Sequence, residues 1–587
     1  MLAIILSWIV ISIVFLSFGD FFISFYNYVC KRKEEYSAID TFLIGICLTT
    51  VALSISSIWL PSNQYILGAY LILCIGYWII RRKRLSVLGR TLKERLRSFT
   101  PLQLALIILP VIGLIIATGW EAGVYDSLYY HQQNIRWNEE FSVVPGLANL
   151  EDRYGFNSSY MLLSALFSLR FIFGEAIYAL QALLAVYILC WIMIEVMKSK
   201  YEIKRVALLF VYMSFMFTYS YVMTSTSTDA IPSFVSFYLV AKLLLYPNLR
   251  KEKKLMMIAI PVLMVTFKLT IIPFCLLSLY ILYLVFKEKD YRTFAFFLTT
   301  GIIIILPWVI RNVLISGYLI YPFHEIDIFS FDWKVPKEVA LQERAFITKC
   351  GVDVLNMLVA SFSHPRFTLS SMQEIGIGIS LFTFVFISPL AIIFGLIRRK
   401  NLDKSIYFIY AILVCVILVW YMGGPDPRFI GGCLFVTIFI VLFILLDAIK
   451  KAHWKWLGIG VVLLTSGLLT AWGFIRTSNY CFLLNQEGKL GETYAMEDIL
   501  YRPFSHRRQL TIWGYDTNNY TPYQLNNGVT IYMSRSRNLD ISRVVTFDVL
   551  PSTVYRSDEP SKYQDISTIE ARGNKLQDGF RVKEQYR

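Results

Sequence analysis

Unbroken apolar runs of about 20 residues recur along this chain, and no other feature narrows its possible folds so far. LAIILSWIVISIVFLSFG, TFLIGICLTTVALSIS, PLQLALIILPVIGLIIAT and GGCLFVTIFIVLFILL each have the length that crosses a hydrocarbon core. They are not the ~10-residue alternating segments of an outer-membrane barrel. Only 17% of residues are charged and the mean hydropathy is +0.55. A soluble chain carries about a quarter charged residues, so a soluble enzyme and a disordered chain are both excluded. The expected fold is an all-α polytopic membrane bundle.

The spans are expected at 2–29, 39–59, 64–80, 102–118, 158–196 (broken), 206–223, 231–246, 255–270, 271–286, 293–310, 374–397, 405–422, 429–447 and 456–475. The break at Gly174 and Glu175 is read as one crossing preceded by a helix lying at the interface. Seven short segments (31–38, 81–99, 198–205, 250–254, 287–292, 398–404 and 450–455) hold 29 Lys/Arg against 8 Asp/Glu. That excess is larger than the net +15 of the whole chain, so the remainder is net acidic. Basic loops on alternate sides of spans mark the inner face. The rule gives about 14 spans with both termini outside, and it makes the charge a topology mark rather than a nucleic-acid surface.

Three regions follow. Residues 1–100 are accessory spans with a basic inner loop. Residues 101–475 form the main membrane domain, with long outer loops at 119–157 and 311–373. Residues 476–587 turn polar, with 15 Lys/Arg and 13 Asp/Glu. There QLTIWGY, GVTIYM and RVVTFDV alternate like short strands, so a small outer α/β or β-rich C-terminal domain is expected.

The ionisable residues that stand out lie at outer span ends. Asp126 follows a span and is flanked by Tyr129, Tyr130 and His131. On a helix, residues three and four apart share a face, so Asp126, Tyr129 and Tyr130 project together. Aromatic surroundings would raise the pKa of Asp126 toward that of a useful base, and its position favours it over Glu121, Glu139 and Glu140. The alternative is a solvated loop acid or helix N-cap. Asp229, in MTSTSTDAIPS, has the same two readings. Lys268, in VTFKLT, is either a site cation or a snorkelling lysine. Arg311, His324 and Glu325 lie in PWVIRNVLISGYLIYPFHEID; His324 and Glu325 are acceptable metal ligands by type, or simply loop residues. Arg428, in GGPDPRF, suits a phosphate because a guanidinium fork matches its oxygens. An ion-coupled transporter would more often carry such groups at mid-membrane, where only Asp20 stands out here.

The order of these elements resembles the glycosyltransferase C superfamily, whose members use polyprenyl-phosphate-linked sugars. The matching stretches are YDSLYY, STSTDAIPS, TFKLT, PWVIRNVLISGYLIYP and PDPRF, in order over roughly 100–450. The likeness is nearest to bacterial members without an assigned activity, and looser to the aminoarabinose and mannosyl transferases. Three spans precede the first matched one, Ser127 stands where many relatives carry a second acid, and RYGFNSSY replaces a Lys-Pro-Pro motif.

The resemblance implies an inverting enzyme of the bacterial cytoplasmic membrane with its active face outside. It would move a sugar from a polyprenyl-phosphate donor to a glycan, lipid or protein acceptor of the cell envelope, with no nucleic-acid partner. It implies Asp126 as general base. Lys268, Arg311 and Arg428 would hold phosphate, with Tyr129, Tyr130 and His131 beside the substrate. Asp229 with His324 or Glu325 would hold a divalent metal (Mg, Mn or Zn) or the phosphate. A polysaccharide polymerase and a lipid-linked oligosaccharide flippase remain as alternatives.

Overall fold

The computed structural model describes residues 1–119, 126–363, 369–398, 403–447, 454–486, 520–534, 549–555 and 565–586. Within these, the protein is mostly helical with a small strand-containing C-terminal region. Among the described residues, ten helices are long and apolar enough to cross a membrane: Leu2–Val29, Ala38–Ser56, Pro101–Thr118, Leu180–Lys198, Leu269–Lys287, Tyr291–Ser316, Gln373–Arg398, Ser405–Gly423, Pro427–Asp447 and Lys455–Asn479.

The other expected spans are helical but different in kind. Gln64–Ile80 continues into Arg82–Arg97 through an 88° bend. Ile203–Thr218, Ala230–Leu245 and Lys254–Phe267 have 16, 16 and 14 residues. At ~1.5 Å per residue they cover about 21–24 Å, short of a ~30 Å hydrocarbon core. Ala230–Leu244 is buried throughout, so that helix packs among other helices and need not match the lipid thickness. The 158–196 segment holds one spanning helix, Leu180–Lys198, as expected. Two short helices precede it: Ser159–Leu166 is wholly buried, whereas Arg170–Phe173 has no buried residue and exposes Phe171 and Ile172. Ser158 Oγ and Ser159 Oγ donate to Phe267 O and Thr266 Oγ1 at 3.0 and 2.9 Å, which pins the first of them inside the bundle.

Close helix crossings use glycine. A Cβ on Gly432 would lie 1.8 Å from the Ser233 carbonyl oxygen, so no side chain fits where Pro427–Asp447 crosses Ala230–Leu245. The basic segments gather at one end of the bundle through ion pairs between segments far apart in sequence. Arg32 pairs with Asp290, Lys254 with Glu288 at 2.6 Å, Arg250 with Asp403 at 3.2 Å and Lys204 with Asp447 at 2.5 Å.

At the other end sits a second core. It joins Tyr129, Tyr130, Trp137, Leu147 and Tyr154 of the first long loop to Ile315, Tyr318, Tyr321, Val335 and Val339, and to Ile531, Tyr555, Ile569 and Phe580 of the C-terminal region. The strands are β1 (Tyr520–Gln524), β2 (Thr530–Ser534), β3 (Ser552–Thr553), β4 (Ile569–Ala571) and β5 (Phe580–Val582). β1 and β2 are antiparallel, β3 joins β2 in parallel, and β4 and β5 form a separate antiparallel pair. GVTIYM is therefore a strand, as its alternation predicts; QLTIWGY and nearly all of RVVTFDV lie outside the described residues. The described strands do not close a core of their own. They share one with the two long loops, and the Phe580 N–H donates to Pro145 O at 3.0 Å.

Candidate ionic site

Five interruptions between helices bring charged side chains together at the end of the bundle opposite the basic segments. Asp126 opens the helical run that passes through a wide π turn, Ser127–His131, into Gln132–Glu140. Asp229 occupies the N-cap position of Ala230–Leu245 without a side-chain capping hydrogen bond, which leaves its carboxylate to the cluster. Lys268 sits in extended backbone between Lys254–Phe267 and the 3-10 turn Leu269–Phe274. Arg428 lies in the 3-10 turn Pro427–Ile430, whose start is fixed by Asp426 accepting from the Arg428 N–H at 3.0 Å. Arg153 lies in the turn Asp152–Gly155.

Arg428 is the hub. Its Nη2 is 2.6 Å from Asp126 Oδ2, and its Nε is 2.9 Å from Asp426 Oδ2 and 3.6 Å from Asp229 Oδ2. Lys268 Nζ is 2.7 Å from Asp229 Oδ1 and 3.5 Å above the Phe429 ring. Arg153 reaches Asp126 at 3.8 Å and Glu343 at 3.4 Å, and stacks 4.5 Å from the Tyr129 ring centroid. Four residues singled out by sequence, Asp126, Asp229, Lys268 and Arg428, thus form one cluster together with Tyr129.

The electrostatics differ from the expectation for Asp126. Burial by itself would raise its pKa, but Arg428, His131 once it is protonated in acid, and Arg153 outweigh burial and hold the carboxyl well below the usual carboxylate range. Asp229 is likewise lowered, because Lys268 and then Arg428 overcome burial. Asp426 goes the other way, since burial pushes it up against the pull of Arg428. The aromatic neighbours do not make Asp126 a high-pKa base; the cations across the cluster make it a firmly held anion.

His131 stands apart. Its side chain is 2% exposed, and neither ring nitrogen has a hydrogen-bond partner. Burial lowers its pKa to about 4 despite the nearby Asp126 and Asp229, so the ring is neutral at pH 7. A buried polar group left unpaired costs about 1–3 kcal/mol.

Other predicted residues go elsewhere. Arg311 is not in the cluster. It is 2% exposed and donates to Ser57 Oγ at 2.6 Å, Asn138 Oδ1 at 2.7 Å and Asn157 Oδ1 at 3.2 Å, tying three segments together. Its charge is solvated by neutral acceptors, so it is a structural tie rather than a phosphate ligand. The proposed metal ligands do not assemble either. Asp229 is neutralised by Lys268 and Arg428. His324 lies 3.7 Å from Glu325, and Glu325 is half-exposed and paired with Arg344. Among the described residues no three His, Cys, Asp or Glu side chains gather as a metal set. A carboxylate already held by two cations is a poor ligand for a divalent ion, so this donor set does not fit one. Glu139 and Glu140 pair with Arg170 and Arg136 at 3.0 and 2.6 Å, as local ties; Glu121 lies outside the described residues.

Three side chains of the cluster, Arg153, Asp426 and Glu343, escaped sequence reasoning. Glu343, 4% exposed, comes from the helix Lys337–Ser363 and is pushed up by burial and by Asp152. The C-terminal region supports the same corner. Asp152 N–H donates to Tyr555 Oη at 3.0 Å, and Val554 N–H to Glu151 Oε2 at 3.3 Å. The tail therefore holds the turn that carries Arg153, and Arg153 holds Asp126.

Fold and site together define a polytopic membrane protein with a buried ionic centre at one end of its bundle. The chain belongs to the family described as a domain of unknown function (DUF8201), whose family model matches residues 1–435. The match includes Asp126, Arg153, Asp229, Lys268, Glu343 and Arg428, and stops before the last span and the tail. No curated protein and no solved structure matches the chain.

Proposed function

We propose that this protein is a membrane glycosyltransferase that moves a sugar from a polyprenyl-phosphate donor to an envelope glycan, lipid or protein. On this reading it has about 14 membrane passes, the short buried helices included, with both termini outside. It works at the outer face of a bacterial cytoplasmic membrane. The observation that carries the reading is the convergence of Asp126, Asp229, Lys268 and Arg428 from four distant stretches into one cluster. These are the residues that matched the glycosyltransferase C pattern in sequence.

The chemistry requires a cation for the phosphate and a base for the acceptor hydroxyl. Arg428 already serves three carboxylates, so phosphate binding is an exchange. The incoming phosphate takes the Nη2 that Asp126 holds at 2.6 Å. Asp126, released from its strongest partner, gains basicity at the moment the donor is seated. The acceptor oxygen then attacks the anomeric carbon, its proton passes to Asp126, and the bond to the phosphate oxygen breaks. Polyprenyl phosphate departs with the electron pair, and its added charge rests on Lys268 and Arg428. His131, neutral and unpaired, supplies a hydrogen bond to the donor. General-base help of this kind contributes roughly 100- to 10,000-fold.

The test is transfer by purified protein from a panel of polyprenyl-phosphate sugars, the panel chosen by which one accumulates in cells lacking the protein. Asp126→Asn should bind donor and fail to turn over. No accumulating donor in such cells, together with no transfer in the purified system, would remove the reading.

A further inference from the structure

Among the described residues, the helix Arg82–Arg97 is unlike every other helix of comparable length. None of its 16 residues is buried. It carries seven Lys/Arg against a single acid, Glu94. Leu85, Leu88, Leu92 and Leu96 are 48, 44, 59 and 48% exposed and recur at three- and four-residue spacing, so they form one apolar face. Isolated in water, such a helix would be marginal.

Its direction is fixed. An 88° bend separates it from Gln64–Ile80, so it runs across the bundle rather than along it. Arg84 Nε donates to Asp20 Oδ1 at 2.8 Å, and Tyr77 Oη donates to Asp20 Oδ2 at 2.5 Å. Asp20 is thus the anchor that clamps the start of the helix to Leu2–Val29. Its far end meets the next span across a groove of about 460 Å³ lined by Leu92, Leu96, Phe99 and Leu104, with Lys93 and Arg97 at its polar edge.

Apolar walls with two cations at the edge match an anionic phospholipid: acyl chain in the groove, phosphate at Lys93 and Arg97. We propose that Arg82–Arg97 is a surface helix lying in the plane of the membrane, and that the groove it makes with Pro101–Thr118 is a binding site for an anionic phospholipid. Charge complementarity selects the occupant. A zwitterionic lipid would offer the same chains without the net charge that six cations beyond Arg84 call for. A horizontal basic helix with a leucine face is the form of an interfacial anchor. The site is at the basic end of the bundle, away from the ionic centre, and does not depend on any catalytic activity.

The experiment is lipid retention by the full chain. The protein is purified in detergent with mixed phosphatidylglycerol and phosphatidylcholine, and bound lipid is read by native mass spectrometry. Wild type should retain phosphatidylglycerol preferentially, and Lys93→Gln with Arg97→Gln should reduce that preference by about thirtyfold, given roughly a kilocalorie for each cation near an anionic surface. Both residues are exposed, so folding is not at stake. The charge-preserving pair Lys93→Arg with Arg97→Lys should keep the preference, and Lys287→Gln with Lys289→Gln, in another basic turn, should leave it unchanged. Equal retention in wild type and the Gln pair would overturn the site. Displacement of lipid by millimolar inorganic phosphate would assign the cations to free phosphate and also overturn it.

Discussion

Three carboxylates on one guanidinium make Arg428 the most exposed point of the proposed mechanism to attack by mutation. Arg428→Lys keeps the charge and loses the fork, so it cannot serve Asp126, Asp426 and a phosphate at once. Donor affinity should fall by about tenfold or more, the size of a lost charge-assisted hydrogen bond of ~1.5–3 kcal/mol; unchanged affinity by titration would take Arg428 out of the site. Asp126→Asn keeps the shape and removes the proton acceptor, so turnover should drop by at least about 100-fold with donor still bound. The same variant has a stability signature. The Asp126 pKa is lowered by folding, so its charged form favours the fold above the unfolded carboxylate value of about 4 and loses that advantage as pH falls below it. The Tm gap between wild type and Asp126→Asn, measured in detergent, should be open at pH 7 and narrow steadily below about pH 4. Asp126, Asp229, Lys268 and Arg428 were legible in sequence because ionisable residues at span ends are few. The charge state of Asp126 was not. Its sequence neighbours are tyrosines, while the side chain that sets its pKa lies some three hundred positions away. Glu343 gave no signal at all, being one acid among several polar residues on a loop helix.

Helices carry those residues to one place, and the crossing at Gly432 shows how little slack the arrangement has. Four residues before it stands Arg428; beneath it is the Ser233 carbonyl, four residues after Asp229. Gly432→Ala would push the two helices apart at the base of the site. Overpacking of this kind costs about 1–3 kcal/mol, and donor affinity should fall with it because the Arg428–Asp229 contact opens. Gly460→Ala is the control: a Cβ there meets nothing within 4 Å, and replacing a helical glycine by alanine is stabilising by up to about 1 kcal/mol. A Gly432→Ala protein with unchanged Tm and affinity would mean that the crossing has room the structure does not show. Hydrophobic periodicity located these helices but not their lengths. Ala230–Leu245 and Lys254–Phe267 read as spans because they are apolar all round, and an apolar helix buried in protein has the same composition as one facing lipid. The 88° bend at Arg81 was hidden for the opposite reason, since a polar amphipathic helix after a span reads as a loop.

At the scale of the whole molecule, the two ends of the bundle are chemically unlike, and the C-terminal region belongs to the end that holds the ionic centre. Because the tail shares its core with 126–157, truncation after Ser478 should do more than remove a lid. It would expose Tyr129 and Trp137 and free the Arg153 turn, so limited trypsin should cut at Arg136 or Arg153 in the truncated protein and spare both in the full chain. Orientation is tested with a native thiol. Among the described residues Cys350 is the one exposed free cysteine, and it sits on the helix that supplies Glu343. The basic segments gather at the far end, where Arg90 is exposed on its surface helix. In the proposed orientation, which follows the positive-inside rule, that end lies in the cytoplasm and the ionic centre faces out. A membrane-impermeant maleimide should label spheroplasts carrying Cys481→Ser, and adding Cys350→Ser should remove that label. Arg90→Cys in the Cys350→Ser, Cys481→Ser background should label only after permeabilisation. Labelling at position 90 in intact spheroplasts, with Cys350 silent, would invert the topology. The ionic centre would then face the cytoplasm, and an outer-face sugar transfer would no longer be tenable.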